Sequence, residues 1–312
     1  MLNISVIIPV YNAKDYLSKA VASASQFEEI KEILLCEDCS TDDSLSLCQK
    51  LEKENPKVKL YQHPDQRNHG AAASRNLGLE KATQEFIAFL DADDYYLPNR
   101  FDVEKNAFKD SKIEGIFGAI GVEFLSEKGK KEFAEKFQDN ELTTVKHDAE
   151  GIDVFYGLLG LNNTFGTFFH LNTLTIRTES LRKNNLRFNE ILRVHQDSDF
   201  IIKLAYHCYL KSGNITKAIA IRGVHDNNRI TKIKMYSKEY NQRQELLWKS
   251  ISNWAFDKPI KSEYKKHIKL KNKAYKIANS KGFNKWINLV ITTLINPLIL
   301  KTKYRFTYLN KL

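Results

Sequence analysis

The stretch EFIAFLDADD, residues 85–94, runs an apolar segment straight into three aspartates, Asp91, Asp93 and Asp94. A short run of this kind reads as a buried strand, so the acids sit at its carboxyl end. Carboxylates crowded together repel unless a cation joins them. Such oxygen ligands suit Mg2+ or Mn2+, which commonly share their coordination with phosphate oxygens. A solvated acidic turn ahead of a helix starting at Pro98 accounts for the same residues, and the motif alone does not decide between the two.

Upstream, strand-like and helix-like segments alternate. ISVIIPV (4–10), EILLCE (32–37) and KVKLYQH (57–63) read as strands, and AKDYLSKAVASASQ (13–26) and AAASRNLGLEKA (71–82) as helices. Ser40 or Thr41 is placed to cap a further helix through DDSLSLCQKLEKE. This alternation predicts an α/β fold with a mostly parallel central sheet flanked by helices. Ligands of such sheets bind beyond the carboxyl ends of the strands, where CEDCSTDD (36–43) and DADD both fall. Downstream, IEGIFGAIGVEFL (113–125) reads as strand and 126–150 as an exposed insertion. TLTIRTESLRKNNL (173–186) reads as strand then helix, DSDFIIKLAYHCYL (197–210) as helix, and KAIAIRGVHDNNR (217–229) as a strand leaving into a polar loop.

The net charge of +10 is uneven. Residues 229–312 carry 20 Lys and Arg against 4 Asp and Glu, whereas the remainder carries 28 against 34. The expected division is therefore a domain over 1–228 and a basic, mainly helical region over 229–312. A basic tail calls for an anionic partner, either nucleic acid or anionic lipid. No zinc finger, helix-turn-helix or RNA-recognition pattern supports nucleic acid. WINLVITTLINPLIL (286–300) puts Ile287, Val290, Ile291, Leu294, Ile295 and Leu298 on one helical face with lysines near its ends. At about 22 Å it is too short to span a bilayer core of about 30 Å, so an interfacial helix on an anionic leaflet fits better. A terminal helix packed into the core, with a solvated lysine face, is the competing reading. The tail is also available as an oligomer surface.

VIIPVYNA (6–13), EDCSTDDS (37–44), GAAASRN (70–76) and FLDADD (89–94) come in an order and spacing that resemble inverting nucleotide-sugar glycosyltransferases of family two, which have the GT-A fold. The likeness resumes at HQDSDF (195–200) and more loosely at VHDNNR (224–229). The resemblance implies a UDP-sugar donor, a saccharide or lipid-linked acceptor in surface polysaccharide synthesis, and Mn2+ or Mg2+ as cofactor. It implies that Asp38 reads the base and that Pro9, Tyr11 and Asn12 line the base and ribose pocket. Arg75 then lies near the diphosphate or braces the acid loop. Asp91, with Ala92 beside it, meets ribose or the donor sugar. Asp93 ligates the metal, with His225 beside the metal or the diphosphate, and Asp197 is the general base. Asp94 is a further candidate in the acid loop. Such enzymes commonly work on lipid-linked saccharides, so a cytoplasmic protein peripheral on the inner face of the cell membrane is expected.

The chemistry suits these residue types. Displacing a nucleoside diphosphate builds charge on the leaving oxygens, which a divalent cation stabilises. The acceptor hydroxyl loses its proton as it attacks from the opposite face, so a carboxylate must stand across the cleft. Two departures from the pattern stand out. Gln196 replaces the acid that usually precedes the base, and Asp199 is an alternative base turned about 200° away on a helix. Cys39 occupies a position where the family often has glycine, a replacement expected to alter the loop's backbone.

Other readings remain. A sugar-phosphate nucleotidyltransferase would want a glycine-rich, basic loop after the first strand, and VYNAKDYL has none. A nucleotide-sugar-binding protein without catalysis draws support from Gln196, against the intact DADD. Cys36 and Cys39 have metal or redox spacing, but Cys48 and Cys208 offer no second pair for zinc. The acids around them disfavour a thiolate, so the cysteines are read as bystanders. His63, Arg67 and His69 read as surface residues. Tyr95 and Tyr96 are expected to pack under the acid loop. In NNTFGTFFH (162–170) aromatic core packing is preferred over an acceptor-site role for His170, and Arg193 or His195 is placed near the acceptor.

Overall fold

A computed structural model describes residues 2–137, 141–162, 165–166, 168–226, 233 and 237–301. The chain divides into two compact units, Met1–Asp226 and Asn227–Leu312. The first opens with β1 (Ile4–Val10), α1 (Leu17–Ser25), β2 (Ile30–Glu37), α2 (Ser44–Glu54), β3 (Val58–Gln62), α3 (Ala71–Lys81) and β4 (Phe86–Phe89). It continues through β5 (Tyr95–Tyr96), α4 (Glu104–Ala107), β6 (Gly115–Phe117), β7 (Ala119–Phe124), α5 (Glu127–Phe137) and α6 (Ile152–Leu158). It ends with β8 (Thr175–Arg177), α7 (Thr178–Lys183), α8 (Gln196–His207), β9 (Leu210–Ser212) and β10 (Ala218–Val224).

The large sheet has the order β3-β2-β1-β4-β8-β6-β9. β1, β2, β3 and β4 run parallel, and β8 is antiparallel to both β4 and β6. The mostly parallel sheet flanked by helices is thus present. β1 carries an almost unbroken apolar run because both of its faces are covered. Ile4, Val6, Ile8 and Val10 join Leu17, Ala20, Val21 and Ala24 of α1 in one core, while Ile7 faces α3. The chain winds outward through β2 and β3, then crosses back to lay β4 on the other side of β1. That reversal is a topological switch point, and it opens a crevice beyond the carboxyl ends of β1 and β4. A second sheet, β5-β10-β7, carries β10 beside the end of the acid loop.

Three local expectations change. The apolar run 113–125 is two strands, β6 in the large sheet and β7 in the small one. The 126–150 segment is not merely an exposed insertion: α5 buries Phe133, whose ring meets Phe124 edge-on at 5.5 Å. Ser40 and Thr41 do not cap α2, which starts at Ser44. They bind Asn12 instead, through Asn12 N to Ser40 Oγ at 3.0 Å and Thr41 N to Asn12 Oδ1 at 2.8 Å.

The second unit contains α9 (Lys238–Phe256), α10 (Ser262–Asn279) and α11 (Gly282–Ile295), followed by a 3₁₀ turn, Pro297–Lys301. Ser237 caps α9 by accepting from Tyr240 N at 3.1 Å. Ala274, Ile277 and Ile299 form a small core with Leu270, Ala278 and Leu289. α11 is turned outward: Phe283, Leu294 and Ile295 are each more than three-quarters exposed, while Thr292 is buried. No helix among the described residues is long and apolar enough to cross a membrane. Asn227, Asn228 and Arg229 of the VHDNNR motif, and the tail's Lys303 and Arg305, lie outside the described residues.

Gly78 lets α3 settle on the sheet. A Cβ there would lie 2.4 Å from Ile7 Cγ2 and 3.2 Å from Cys36 Sγ. Gly78→Ala should therefore destabilise the fold, because overpacking of about 1–3 kcal/mol exceeds the helix-propensity gain of about 1 kcal/mol. A urea midpoint equal to or above wild type would refute this account.

Candidate active site

The acid loop leaves β4 at the crevice, and each of its carboxylates meets a different partner. Asp91 Oδ1 accepts from Arg75 Nη2 at 2.6 Å, with Arg75 almost fully buried on α3. Burial alone would raise the Asp91 pKa, but the Arg75 guanidinium beside it holds it below the usual carboxylate range. Asp93 Oδ2 lies 3.1 Å from His225 Nε2, just beyond the end of β10. Asp94 is buried, accepting from Asn172 Nδ2 and, at 2.9 Å, from Gly223 N. Its pKa is pushed well above the carboxylate range by burial and then by the charges of Asp93 and Asp91. Ala92 is buried between them.

Residues remote in sequence brace this loop. Asn172 bridges it, donating to Asp94 and accepting from Asp91 N at 3.1 Å. The Asn172 and Leu174 carbonyls are held at 3.0 Å by the fully buried Arg100, itself paired with Glu104 at 2.7 Å. Gly223 is required because a Cβ would stand 2.4 Å from the Asp93 carbonyl oxygen. Tyr96 packs below, donating to Phe89 O at 2.6 Å. Asn172 lies in no stretch the sequence reading used, and Gly223 entered it only as part of a strand, so only the tertiary fold brings them here.

The carboxyl ends of β1 and β2 build the neighbouring wall. Pro9 pairs with Cys36 in the sheet, Tyr11 is exposed, and Asn12 takes a left-handed backbone that ties the first loop to the second. Asp38 is buried, and its two oxygens accept from His69 N and Gly70 N, both at 2.7 Å. His63 Nε2 stands further off, 3.8 Å from Asp38 Oδ1. The 63–70 loop is therefore more than surface: it folds over Asp38, with His63 against His69 at 4.5 Å between ring centres. Arg193 likewise binds His69 O at 2.8 Å. Cys39 adopts φ 58°, so it keeps the left-handed turn that glycine would make and does not alter it, at a cost of about 1–2 kcal/mol. All four cysteines are free, and burial pushes the Cys36 and Cys48 thiols up to about 12.

Asp197 lies in the first turn of α8, facing the positive end of the helix dipole, and accepts from Ser198 N at 2.8 Å. Gln196 is the first residue of that helix. Asp199 is fully buried with Lys203 Nζ at 2.6 Å, so its carboxylate is engaged inside the fold. His170 proves to be a site residue as well. One of its ring nitrogens lies within 4.8 Å of carboxylate oxygens of both Asp91 and Asp94. Arg222 on β10 adds positive charge felt by Asp91, Asp94 and His170.

Two groups have the donors for a divalent cation. In an octahedral Mg2+ or Mn2+ site with bonds of about 2.1 Å, neighbouring ligand atoms stand about 3 Å apart. The 3.1 Å between Asp93 Oδ2 and His225 Nε2 fits that edge. Asp91, Asp94 and His170 fit less well, because Arg75 already binds Asp91 and Asp94 is held by two donors.

Removing the Asn172 amide leaves a buried carboxylate with one donor and frees Asp91 N. Asn172→Ala is expected to cost about 1–3 kcal/mol of stability. Asn172→Asp should cost more, since it adds a fourth carboxylate, and Asp94→Asn in the same chain should recover part of that loss. Urea unfolding of the three variants checks the order.

The chain's fold recurs in solved proteins. The S. aureus TarS 1-349 structure in complex with UDP-GlcNAc superposes with a TM-score of 0.60 at 20% identity, covering 99% of this chain and 79% of that one. The mannosyltransferase PcManGT from Pyrobaculum calidifontis, in complex with GDP-Man and Mn2+, gives 0.55 at 14% identity, covering 98% and 85%. In sequence, a GalNAc(5)-diNAcBac-PP-undecaprenol beta-1,3-glucosyltransferase of Campylobacter jejuni is 28% identical over 76% of this chain and 79% of its own. An uncharacterized glycosyltransferase of Haemophilus influenzae is 39% identical over 33% of this chain, a stretch spanning 41% of the relative. The Bacillus subtilis minor teichoic acid biosynthesis protein GgaA is 28% identical over 64% of this chain and 42% of its own. The profile of Glycosyl transferase family 2 matches residues 5–161, half of the chain, and the chain belongs to that family.

Proposed function

We propose that this protein transfers a sugar, with inversion, from a UDP-sugar to a saccharide or lipid-linked acceptor in surface polysaccharide synthesis. The observation that carries the reading is the convergence of the β1, β2 and β4 loops with Asp93 and His225 at one switch-point crevice. The Campylobacter relative named for an undecaprenol-linked substrate supports the acceptor class, and the neighbour solved with UDP-GlcNAc supports the donor.

In this reading Pro9, Tyr11, Asn12 and Asp38 hold the base and ribose, and Asp91, oriented by Arg75, meets ribose or the donor sugar. Mn2+ or Mg2+ on Asp93 and His225 neutralises diphosphate charge when bound. Asp197 takes the acceptor hydroxyl's proton as the acceptor oxygen bonds to the anomeric carbon and the bond to the diphosphate oxygen breaks. One displacement inverts the anomeric centre. The second unit docks on an anionic membrane at the inner face of the cell membrane. α11 is 14 residues, about 21 Å, with Trp286, Val290, Ile291, Leu294 and Ile295 exposed amid a lysine-rich unit.

Release of nucleoside diphosphate from a panel of nucleotide sugars, with and without Mn2+, tests the chemistry. Asp197→Asn is expected to lower kcat by about 10²–10⁴-fold while donor binding persists. Donor binding with no turnover in the wild type would point instead to a binding protein. For the membrane, vesicles containing anionic lipid should retain the full chain and lose the Leu294→Glu, Ile295→Glu double variant; equal retention would refute the docking surface.

A further inference from the structure

His170 stands at the entrance to a 3₁₀ turn, Leu171–Thr173, and its Nδ1 accepts from Asn172 N at 3.3 Å. Its carbonyl is held as well, by Thr173 N at 3.0 Å and Thr173 Oγ1 at 2.7 Å. The ring is thereby fixed in place and in tautomer. With Nδ1 facing an N–H, a neutral imidazole carries its hydrogen on Nε2. Among the described residues, Nε2 has no hydrogen-bond partner. One ring nitrogen lies within 4.8 Å of carboxylate oxygens of Asp91 and Asp94, and the ring also feels the charge of Asp197.

Cation binding at Nε2 would require the hydrogen on Nδ1, where it would oppose the Asn172 N–H. The same cap therefore excludes His170 as a metal ligand. Burial, and then the Arg222 charge, lower its pKa to about 4, so the ring is neutral at physiological pH. A neutral, immobile N–H beside the acid loop suits an uncharged oxygen acceptor.

We propose that His170 Nε2 donates a hydrogen bond to a hydroxyl or amide oxygen of the transferred sugar, orienting it between Asp91 and Asp197. This inference rests on the glycosyl-transfer reading of the site. His170 is a contact to the substrate and carries no proton in the reaction.

His170→Asn keeps an acceptor at the Nδ1 position for the cap but removes the Nε2 donor. His170→Gln brings an amide N–H toward the Nε2 position. Turnover of UDP-sugars is measured for both variants and wild type, together with affinity for free UDP and the unfolding midpoint. His170→Asn should retain UDP affinity and midpoint but lose about 10–100-fold in kcat/KM, the range expected for one lost buried hydrogen bond. His170→Gln should recover part of that loss. An active wild type matched by His170→Asn overturns this inference and leaves the enzyme reading standing. A loss that tracks UDP affinity or the midpoint overturns it too, since the ring would then serve the nucleotide or the fold. A wild type inactive on every donor removes the glycosyl-transfer reading and this inference with it.

Discussion

Three carboxylates within four residues would drive one another apart, and the architecture around Asp91, Asp93 and Asp94 answers that repulsion three ways. A buried guanidinium matches Asp91, an imidazole stands against Asp93, and Asp94 is withdrawn from water and held by two N–H donors. Each answer comes from a different part of the chain: α3, the end of β10, and the segment before β8. The loop's shape therefore belongs to the whole first unit and not to its own sequence.

The division of labour among the acids follows from local dielectric. Asp91 keeps its charge because a cation is built in beside it. Asp94 sits where charge is costly and serves as a brace. Asp93, paired with His225, is the acid to which the proposed function gives the cation. The same logic separates Asp197 from Asp199: one lies at the open end of α8, and the other is buried against Lys203.

Much of this was legible in the sequence where local pattern and function coincide. The β1–β4 alternation, the acids at strand ends and the outward apolar face of α11 all follow from periodicity and composition. What escaped depends on contacts across more than 30 residues. Asn172 lies in an unremarked segment, and its partners are 78 and 81 residues away. The 63–70 loop looked like surface because nothing in its letters reports that Asp38 binds its backbone. His170 was read with its aromatic neighbours, and Phe169 does pack that way, stacked on Phe117 at 4.0 Å. His170, the next residue, instead brings a ring nitrogen within 4.8 Å of the Asp91 and Asp94 carboxylates.

The contact at Gly223 has a temporal consequence. The first four strands are finished by residue 89, yet the acid loop gains its second Asp94 donor only when β10 is laid down. On the ribosome, a chain with β1 to β4 already made would still lack a set acid loop for well over a hundred residues of synthesis. The crevice is thus completed from both ends of the unit, and competence arrives late, with the last strand.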